Sequence, residues 1–268
     1  KNSQKVNNHE LKNLSKTDFS LKDEKLNTLL NEAYFEIGRL NGLLEMLSHK
    51  DILLSPLLIM EAVKSSNVEN INSTVLEQLQ VKVKGRKVLS SEQKQTENYR
   101  LALLAGFDYL NQKNSFDLDL IKLIQKILEP NLTGIRDIQK VVIANTATSE
   151  IIWEPPLGKK KILKLLENWL EIANENSLDD LVKVCILHSQ FEAIHPFVDG
   201  NGRTGRILIT LYLVFKKYLN YPSLYLSDYI LQTRTYYYLH LQESQQNQNH
   251  LELVKYLLKG IATKAKSG

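Results

Sequence analysis

Residues 191–206 read FEAIHPFVDGNGRTGR, and this stretch decides how the chain around it must fold. Its last twelve residues carry a histidine, an acid, two arginines and three of the chain's 11 glycines. Proline cannot donate the backbone hydrogen bond that a helix needs, so Pro196 predicts that a helix ends near His195. The apolar run RTGRILITLYLVFKKYL predicts that a second helix follows. The stretch therefore indicates two helices joined by a glycine-rich corner that presents His195.

The corner carries the residue types of an anion-binding site. Glycines at positions 200 and 202 permit torsions that turn successive N–H groups inward, at a helix N-terminus whose dipole favours phosphate. Arg203 and Arg206 lie three residues apart on the first helical turn, so both can reach one polyphosphate. Asp199 adds an oxygen ligand of the kind that Mg²⁺ prefers. Together these residues predict a nucleotide site in which His195 takes a proton from an attacking hydroxyl.

Each of these features also has a structural explanation. A histidine before proline is commonly a loop residue, a Gly-Asn-Gly sequence is commonly a turn, and two arginines on a first turn are commonly surface charges. Their occurrence together within twelve residues favours the functional interpretation. His188, two helical turns before His195, is by contrast expected to be a hydrogen-bonded core histidine and not a second base.

The composition predicts an all-α fold, mainly helical, with one small β-hairpin. The chain has 268 residues, 43% of them hydrophobic, which is enough for a substantial core. With only 11 Gly and 6 Pro, and with apolar residues at three- and four-residue spacing, most of the chain indicates helix. The exception is KVVIANTATSEIIW at residues 140–153, where two branched apolar runs flank a small polar turn.

Charge and cysteine content narrow the classes of function. The net charge is +4, from 34 basic and 30 acidic residues that are scattered along the chain, so we expect no direct binding to nucleic acid. The single cysteine, Cys185, excludes an internal disulfide and is typical of a reducing compartment. No apolar run reaches the roughly 18 residues of a membrane span, and the polar start lacks a signal-peptide core. We therefore expect a cytoplasmic protein without a membrane segment.

The sequence pattern divides the chain at about residue 90. Before that point we predict a loose polar arm over residues 1–22, an amphipathic helix over 25–47, a second helix from residue 57, and a charged linker over 81–97. Ser55 and Pro56 are predicted as the N-cap and first position of that second helix. Residues 91–268 are predicted to form the helical core that carries the glycine-rich corner.

The segment HPFVDGNGRTGR, residues 195–206, matches every specified position of the signature His-x-Phe-x-(Asp/Glu)-Gly-Asn-Gly-Arg-x-x-Arg of the Fic family. The lead-in HSQFEAIHPF and the segment YYLHLQ are also similar to that family. The resemblance covers roughly residues 99–262 and is weaker in the N-terminal helices. It implies that residues 91–268 are a catalytic core for transferring AMP from ATP to a protein hydroxyl. It also implies ATP as substrate and Mg²⁺ (or Mn²⁺) as cofactor.

The same resemblance implies a role for each residue of the signature. His195 would be the general base, Asp199 the metal ligand and Phe197 a structural anchor. The nucleotide-binding residues would be Gly200, Asn201, Gly202, Arg203, Arg206 and Tyr237. For Tyr237, packing in the core is an equal alternative. An intact glycine at position 202 favours AMP transfer, because family members that phosphorylate tend to carry lysine there.

The hairpin from about Val141 to Trp153 corresponds to the flap of the family. In the family the flap holds a target segment by adding it as a β-strand. The flap residues predicted to dock a target are Val142, Ile143, Ile151 and Ile152. Upstream, Ile135 stands before Arg136 where an aromatic residue is common in the family, so the identity of the target stays open.

The segment SSNVEN, residues 65–70, matches the inhibitory pattern Ser/Thr-x-x-x-Glu-Gly/Asn of the family, in a helix predicted over about 57–70. Ser65 and Glu69 are four residues apart and hence share one helical face, and Asn70 is expected as a left-handed cap. The resemblance implies that Glu69 pairs with Arg206 and occupies the place of the ATP γ-phosphate. The alternative is an ordinary surface glutamate at a helix end.

Three functions stay open at this point. The first is an autoinhibited protein adenylyltransferase that releases pyrophosphate, modifies a Ser, Thr or Tyr of a target protein, and modifies itself. The second is the removal of AMP from a protein, with Glu69 orienting a water molecule. The third is a non-catalytic, nucleotide-sensing adaptor. Family behaviour also leaves open a homodimer through the N-terminal helices.

Overall fold

The computed structural model describes residues 11–84, 89–138, 140–144 and 151–267. No helix in these ranges is long and apolar enough to span a membrane. The ranges contain a short 3₁₀ helix, Lys16–Phe19, and one antiparallel pair of strands, β1 (Ile143–Ala144) and β2 (Ile151–Trp153). The α-helices are α1 (Glu24–Glu45), α2 (Lys50–Val68), α3 (Val75–Lys84), α4 (Ser91–Lys113), α5 (Leu118–Leu128), α6 (Lys159–Asn174), α7 (Asp180–Ile194), α8 (Asn201–Phe215), α9 (Ser227–Gln232), α10 (Arg234–Asn247) and α11 (Leu251–Ser267). The predicted all-α fold with a small hairpin is confirmed.

Helix α7 lies at the centre of the fold. All its residues from Leu181 to Ile194 are buried, and it packs against α6, α8, α10 and α11. Its start is fixed by Asp179, whose carboxylate accepts hydrogen bonds from the backbone N–H groups of Leu181 and Val182 at 3.0 and 2.9 Å. Because neighbouring helices surround α7, its last residue and the corner that follows are held in a fixed place.

Helix α8 begins beside the end of α7 and is buried from Arg203 to Val214. It packs against α4, α5 and α7, and its early part also contacts α2. The chain between α7 and α8 is only six residues long, so the two helix ends that meet there cannot separate. The fold thus brings the end of α7, the start of α8 and the last turn of α2 close together.

An aromatic cluster around Phe116 joins three parts of the core. The Phe116 ring stacks on Trp169 of α6 with centroids 5.9 Å apart. It also contacts two rings of α8, meeting Tyr212 edge-on at 5.6 Å and Phe215 at 5.4 Å. Such aromatic pairs stabilise beyond the area that they bury. Phe116 therefore links α6 and α8, two of the helices that pack on α7.

Helix α2 begins at Lys50, and the predicted start at residue 57 is wrong. Pro56 lies inside the helix and is not its first residue. The reason is tertiary packing: Leu54 and Leu58 are four residues apart and both are buried, at 6% and 7% exposure. Burial of this stripe across the proline outweighs the hydrogen bond that Pro56 cannot donate.

The predicted linker over residues 81–97 and the predicted loose arm also differ from the structure. Helix α3 extends to Lys84, and α4 begins at Ser91 behind a capping box in which Ser90 and Gln93 bond each other's backbone N–H. In the arm, residue Leu14 is buried, and Asn168 of α6 bonds both its backbone groups at 2.8 and 3.1 Å. The division of the chain at about residue 90 stays a prediction.

The hairpin forms where the sequence predicts it. Ile143 pairs with Trp153, and the connecting residues 145–150 lie outside the described ranges. The Trp153 indole donates a hydrogen bond to the carbonyl of Ala193 at 2.9 Å. The base of the hairpin is thereby tied to the last turn of α7, two residues before His195.

The aromatic cluster gives a stability prediction with a matched control. Phe116→Ala should lower the free energy of unfolding by about 3–5 kcal/mol, because it leaves a cavity among three aromatic rings. Phe35→Ala removes the same atoms from a side chain that is 67% exposed, and should change the free energy by no more than about 0.5 kcal/mol. Urea denaturation of both variants measures this difference. Equal losses would contradict the role of Phe116 in the core.

Candidate nucleotide-binding site

His195 ends α7 in a left-handed conformation. Its φ is 48° and its backbone N–H closes the last turn on the carbonyl of Phe191 at 2.9 Å. A non-glycine residue with positive φ needs support from its surroundings. Arg136 gives that support, because its guanidinium donates to the carbonyls of His195 at 2.7 Å and Ile194 at 3.1 Å. The backbone N–H of Arg136 also bonds the carbonyl of Pro196 at 3.0 Å.

The His195 imidazole has the protonation state of a base. Burial lowers its pKa to about 4, although the nearby Glu192 carbonyl opposes that change. The ring is therefore neutral at pH 7. Its Nδ1 lies 3.2 Å from the Glu192 carbonyl, which assigns the single ring proton to Nδ1. Nε2 then carries the lone pair that can accept a proton from a substrate.

The corner between α7 and α8 is held by the side chain of Asn201. Its Oδ1 accepts from the backbone N–H of Phe197 and its Nδ2 donates to the Phe197 carbonyl, both at 2.9 Å. The Phe197 ring is fully buried, which agrees with its predicted role as an anchor. Gly200 has a φ of 81° and is the N-cap of α8, without a side-chain cap for the helix. The start of α8 thus leaves its N–H groups for an anion.

Arg203 is buried beneath this helix start. Its Nη2 donates to Glu129, a residue at the end of α5, and lies 4.0 Å from Asp199. Its Nε and Nη1 are buried and make no hydrogen bond to the described residues. A buried guanidinium with two nitrogens that donate to nothing is costly unless a ligand accepts from them. Glu129 therefore orients Arg203, and the N–H groups of Nε and Nη1 suit the oxygens of a phosphate.

Arg206 is held by residues 65–69 at the end of α2. Its Nε donates to Ser65 Oγ at 2.8 Å and its Nη2 to the Ser65 carbonyl at 3.0 Å. The same Nη2 lies 2.8 Å from Glu69 Oε1. Burial alone would lower the pKa of Arg206, but the charge of Glu69 reverses this and raises it. The structure thus brings together Ser65, Glu69 and Arg206, as the sequence predicts, and Asn70 follows with a φ of 61°.

Glu69 lies against the glycine-rich turn as well as against Arg206. A Cβ placed on Gly202 would come within 2.3 Å of Glu69 Oε1, so only glycine leaves room for this carboxylate. The Glu69 side chain is 32% exposed while that of Arg206 is 2% exposed. The carboxylate therefore fills space at the start of α8 that an anionic ligand would otherwise use.

Asp199 stands at the edge of the site with its side chain 61% exposed. Its Oδ1 accepts from the backbone N–H of Gly200 at 2.6 Å. The described residues contain no cluster of three or more metal-binding side chains, so a metal here would be held by Asp199 together with ligand oxygens. One carboxylate combined with phosphate oxygens is an arrangement that suits Mg²⁺.

Tyr237 lies in the core beside the site. It is 1% exposed, and its hydroxyl lies 2.7 Å from Nε2 of His188. Burial raises the pKa of Tyr237 well above its usual range and lowers that of His188 to about 3, so this pair is neutral. This agrees with His188 as a core histidine. A role for Tyr237 in holding adenine stays a prediction. Its neighbour on α10, Tyr238, has the Cζ atom of Arg234 5.6 Å from the centre of its ring.

Glu192 is a buried acid beneath the first turn of α8. Its Oε1 has no hydrogen-bond partner among the described residues, and a Cβ on Gly205 would come within 2.4 Å of it. Burial raises the pKa of Glu192 to about 8, which keeps it mostly protonated at neutral pH. Gly205 thus leaves room for the Glu192 carboxyl group and the His188 ring between α7 and α8.

Sequence reasoning missed three residues that shape the site: Arg136, Glu129 and Trp153. Each acts through a contact between segments far apart in sequence, such as the 59 residues between Arg136 and His195. No local periodicity signals such a contact. A charged residue beside a proline or glycine turn, as at Glu129-Pro130 and Gly134-Ile135-Arg136, is the only hint that the sequence carries.

Of the predicted flap residues, Val142 is 44% exposed beside β1, and Ile143, Ile151 and Ile152 lie in the paired strands.

Comparison with sequence families identifies two matched regions. Residues 27–108 match the Fic/DOC family N-terminal domain, and residues 115–213 match the Fic/DOC family domain. Together the two regions cover more than half of the chain. The second region contains α7, the corner that follows it and α8 as far as Leu213.

Curated relatives match over a short part of their length. A probable protein adenylyltransferase of Aquifex aeolicus is 46% identical over 66 residues, which are 25% of this chain and 20% of the relative. Protein adenylyltransferase Fic of Drosophila mojavensis is 40% identical over 53 residues, 20% of this chain and 11% of the relative. The chain therefore spans a fifth or less of these two relatives.

Solved structures share the fold at lower identity. A Fic family protein from Desulfovibrio desulfuricans superimposes with a TM-score of 0.75 at 21% identity, covering 93% of this chain and 75% of that one. Fic-1 of Caenorhabditis elegans gives a TM-score of 0.65 at 17% identity, covering 90% and 72%. With the two matched regions and the shared fold, the chain belongs to the Fic/DOC family.

Proposed function

We propose that the chain is an autoinhibited protein adenylyltransferase that transfers AMP from ATP to a hydroxyl side chain of a target protein. The observation that carries the proposal is the pairing of a neutral imidazole, at the end of α7, with two buried guanidiniums at the uncapped start of α8. This pairing provides a proton acceptor and a polyphosphate site side by side. The relatives named as protein adenylyltransferases support it.

The polyphosphate would lie across the start of α8. The helix N-terminus and the unused donors of Arg203 offer one set of contacts, and Arg206 offers another once Glu69 has moved. Asp199 would hold Mg²⁺ (or Mn²⁺) together with the phosphates. When bound, the metal ion neutralises phosphate charge and favours departure of pyrophosphate.

His195 supplies the proton transfer. Nε2 accepts the proton of the target hydroxyl as that oxygen forms a bond to the α-phosphorus of ATP. The bond between the α-phosphorus and the bridging oxygen breaks, and pyrophosphate leaves with its electron pair. Arg136 and the Glu192 carbonyl hold the ring and its tautomer during this step. Atoms and charge balance without a further reactant.

Glu69 supplies the inhibition. Its carboxylate removes one donor of Arg206 from the ligand and repels an incoming γ-phosphate from the start of α8. ATP then binds with its α-phosphate out of line for attack. We assign docking of the target protein to the hairpin, whose short strands leave backbone groups for an added strand.

Removal of AMP from a modified protein is a second candidate function. The specific observation in its favour is that Glu69 is partly exposed, at 32%, and points into the start of α8 near the place of a substrate phosphate. A carboxylate there can orient a water molecule towards the α-phosphorus. In this reaction Glu69 is required, whereas in AMP transfer it inhibits.

Glu69→Gly should raise the transfer of label from ATP labelled in its α-phosphate, to the protein itself and to added proteins, by about tenfold or more. The reason is that Arg206 becomes free for the γ-phosphate. Glu69→Gln keeps the size of the side chain and loses its charge, so it should give a smaller rise. Adding His195→Ala to Glu69→Gly should return labelling to background.

Three outcomes would contradict this assignment. Labelling that persists without His195 removes the proposed base. Equal labelling by the unmodified protein and by Glu69→Gly, at matched ATP and Mg²⁺, rejects the inhibition. No labelling by any variant, together with measurable ATP binding, favours the nucleotide-sensing adaptor.

The His195 ring should remain neutral to well below its ordinary pKa of 6.5, with a pKa of about 4 in the nucleotide-free protein. A depressed histidine pKa means that the unfolded chain takes up a proton first, so this residue lowers the stability as the pH falls from about 6.5 towards 4. Ring resonances in a pH titration by NMR, assigned with His195→Ala, measure the pKa. A midpoint near 6.5 would show a solvated ring and contradict the buried geometry.

The two reactions can be separated with a protein that already carries AMP. If removal dominates, the unmodified chain should release AMP and Glu69→Gly should not. If transfer dominates, Glu69→Gly should add label and neither protein should release it. Measuring released AMP and incorporated label in the same samples gives both answers, with His195→Ala as the inactive control for each.

A further inference from the structure

Glu61 is a buried carboxylate outside the nucleotide site. It lies on α2, is 4% exposed, and receives three hydrogen bonds. The Tyr99 hydroxyl of α4 donates to Oε1 at 3.0 Å, the backbone N–H of Ser227 donates to Oε2 at 3.0 Å, and the Ser227 hydroxyl donates to Oε1. Glu61 thereby joins α2 to α4 and to the first residue of α9.

Glu61 shares a helical face with the two inhibitory residues. Glu61, Ser65 and Glu69 are spaced four residues apart on or at the end of α2, so they lie along one side of the helix. Ser65 holds Arg206 through both its hydroxyl and its carbonyl. The contacts of Glu61 therefore fix the helical turn directly before the one that meets Arg206.

Tyr99 connects these two turns. Burial raises the pKa of its phenol well above the usual range, and an interaction with Ser65 is one of the influences that oppose the rise. The Tyr99 hydroxyl is thus a neighbour of Ser65 as well as a donor to Glu61. Hydrogen bonds thus join Ser227 and Tyr99 to Glu61 on one turn of α2, and join Arg206 to Ser65 on the next turn.

Two further contacts join the end of α2 to the same part of the chain. Lys64 pairs with Asp228 at 2.9 Å, and Arg234 donates to Asn70 at 2.8 Å. Asp228 also pairs with Lys264 of α11. Polar contacts thus fix α2 to residues 227–234 on both sides of Ser65.

We propose that Glu61 is a positioning residue of the inhibition: by fixing α2 to Ser227 and Tyr99, it sets how firmly Glu69 occupies Arg206. This inference rests on the proposed function. A buried carboxylate that accepts three hydrogen bonds resists removal, because loss of one partner leaves the others buried and unpaired. Losing the contacts of Glu61 lets the last two turns of α2 shift, and a small shift is enough to separate Glu69 from Arg206.

The test measures label transfer from ATP with Glu61→Ala and with Tyr99→Phe. Both variants should raise transfer about fivefold or more over the unmodified protein, the factor that loss of one good hydrogen bond gives. Tyr99→Phe keeps the buried ring and removes only the hydroxyl, so it tests the proposal even where Glu61→Ala folds poorly. Glu61→Gln keeps one acceptor and should give an intermediate rise.

The decisive measurement repeats both variants in the Glu69→Gly background. If Glu61 acts through Glu69, neither variant should change transfer there, although each still lowers the melting temperature. Glu36→Ala is the matched control, since Glu36 is a buried carboxylate of α1 that pairs with Arg39 at 2.7 Å, and α1 packs mainly against α11. It should lower the melting temperature and leave transfer at the level of the unmodified protein.

The outcomes separate this inference from the function on which it rests. If Glu69→Gly itself fails to raise transfer, the proposed function is wrong. If Glu69→Gly raises transfer and neither Glu61→Ala nor Tyr99→Phe does so, Glu61 does not position the inhibition. An equal change by these variants with and without Glu69 would show a general structural effect and would also overturn the inference.

Discussion

The arrangement of the site depends on the buried guanidinium of Arg206. With 2% of its side chain exposed, Arg206 cannot be left to water, and a buried charge must be paired or hydrogen-bonded. Ser65 satisfies part of this need with neutral oxygens, and Glu69 supplies the opposite charge. An anionic ligand that binds the same Nη2 of Arg206 must replace Glu69. Binding of ligand and release of the glutamate are therefore one exchange at one cation.

The two partners of this exchange differ in how firmly the fold holds them. Arg206 stands on α8, which is buried over most of its length between α4, α5 and α7. Glu69 is the C-cap of α2, with its side chain about one-third exposed at 32%. Because partly exposed groups at helix ends are held less firmly than groups on buried helices, we expect the glutamate to move in this exchange and the arginine to stay. The same rigidity of α7 and α8 keeps His195 in place while the anion partner changes.

The sequence predicted the corner well because its signals are local. A proline after a helix, glycines before the next helix and two arginines on one turn each restrict only their neighbours, and residues 195–206 lie as these rules indicate. The left-handed Asn70 and the shared face of Ser65 and Glu69 followed in the same way. What could not be predicted depends on partners far apart in sequence. Examples are the support of His195 by Arg136 and the orientation of Arg203 by Glu129.

Two local signals for the start of a helix did not lead to a correct prediction. Pro56 predicted a helix start, but burial of Leu54 and Leu58 on one stripe carries α2 through it. The sequence SSEQ at residues 90–93 is a capping-box pattern, and α4 begins there inside the charged stretch that resembles a linker. Charge on a helix surface and charge in a linker look alike in sequence. Only the packing of α4 against α2, α5 and α8 distinguishes them.

Packing also limits how α2 can move when Glu69 leaves Arg206. Ile59, Ala62, Val63 and Val68 of α2 are all buried, at 2% exposure or less. Exposing even the three larger of these side chains would cost about 1.5–3 kcal/mol each, so a movement that uncovers this side of α2 is unfavourable. In the proposed mechanism, release of the inhibition would therefore be a local change at the last turns of α2, with its apolar side still covered. In such a change, the position of α2 along and around its axis decides whether Glu69 reaches Arg206. A buried polar contact such as that of Glu61 fixes one position, whereas an apolar surface would tolerate several.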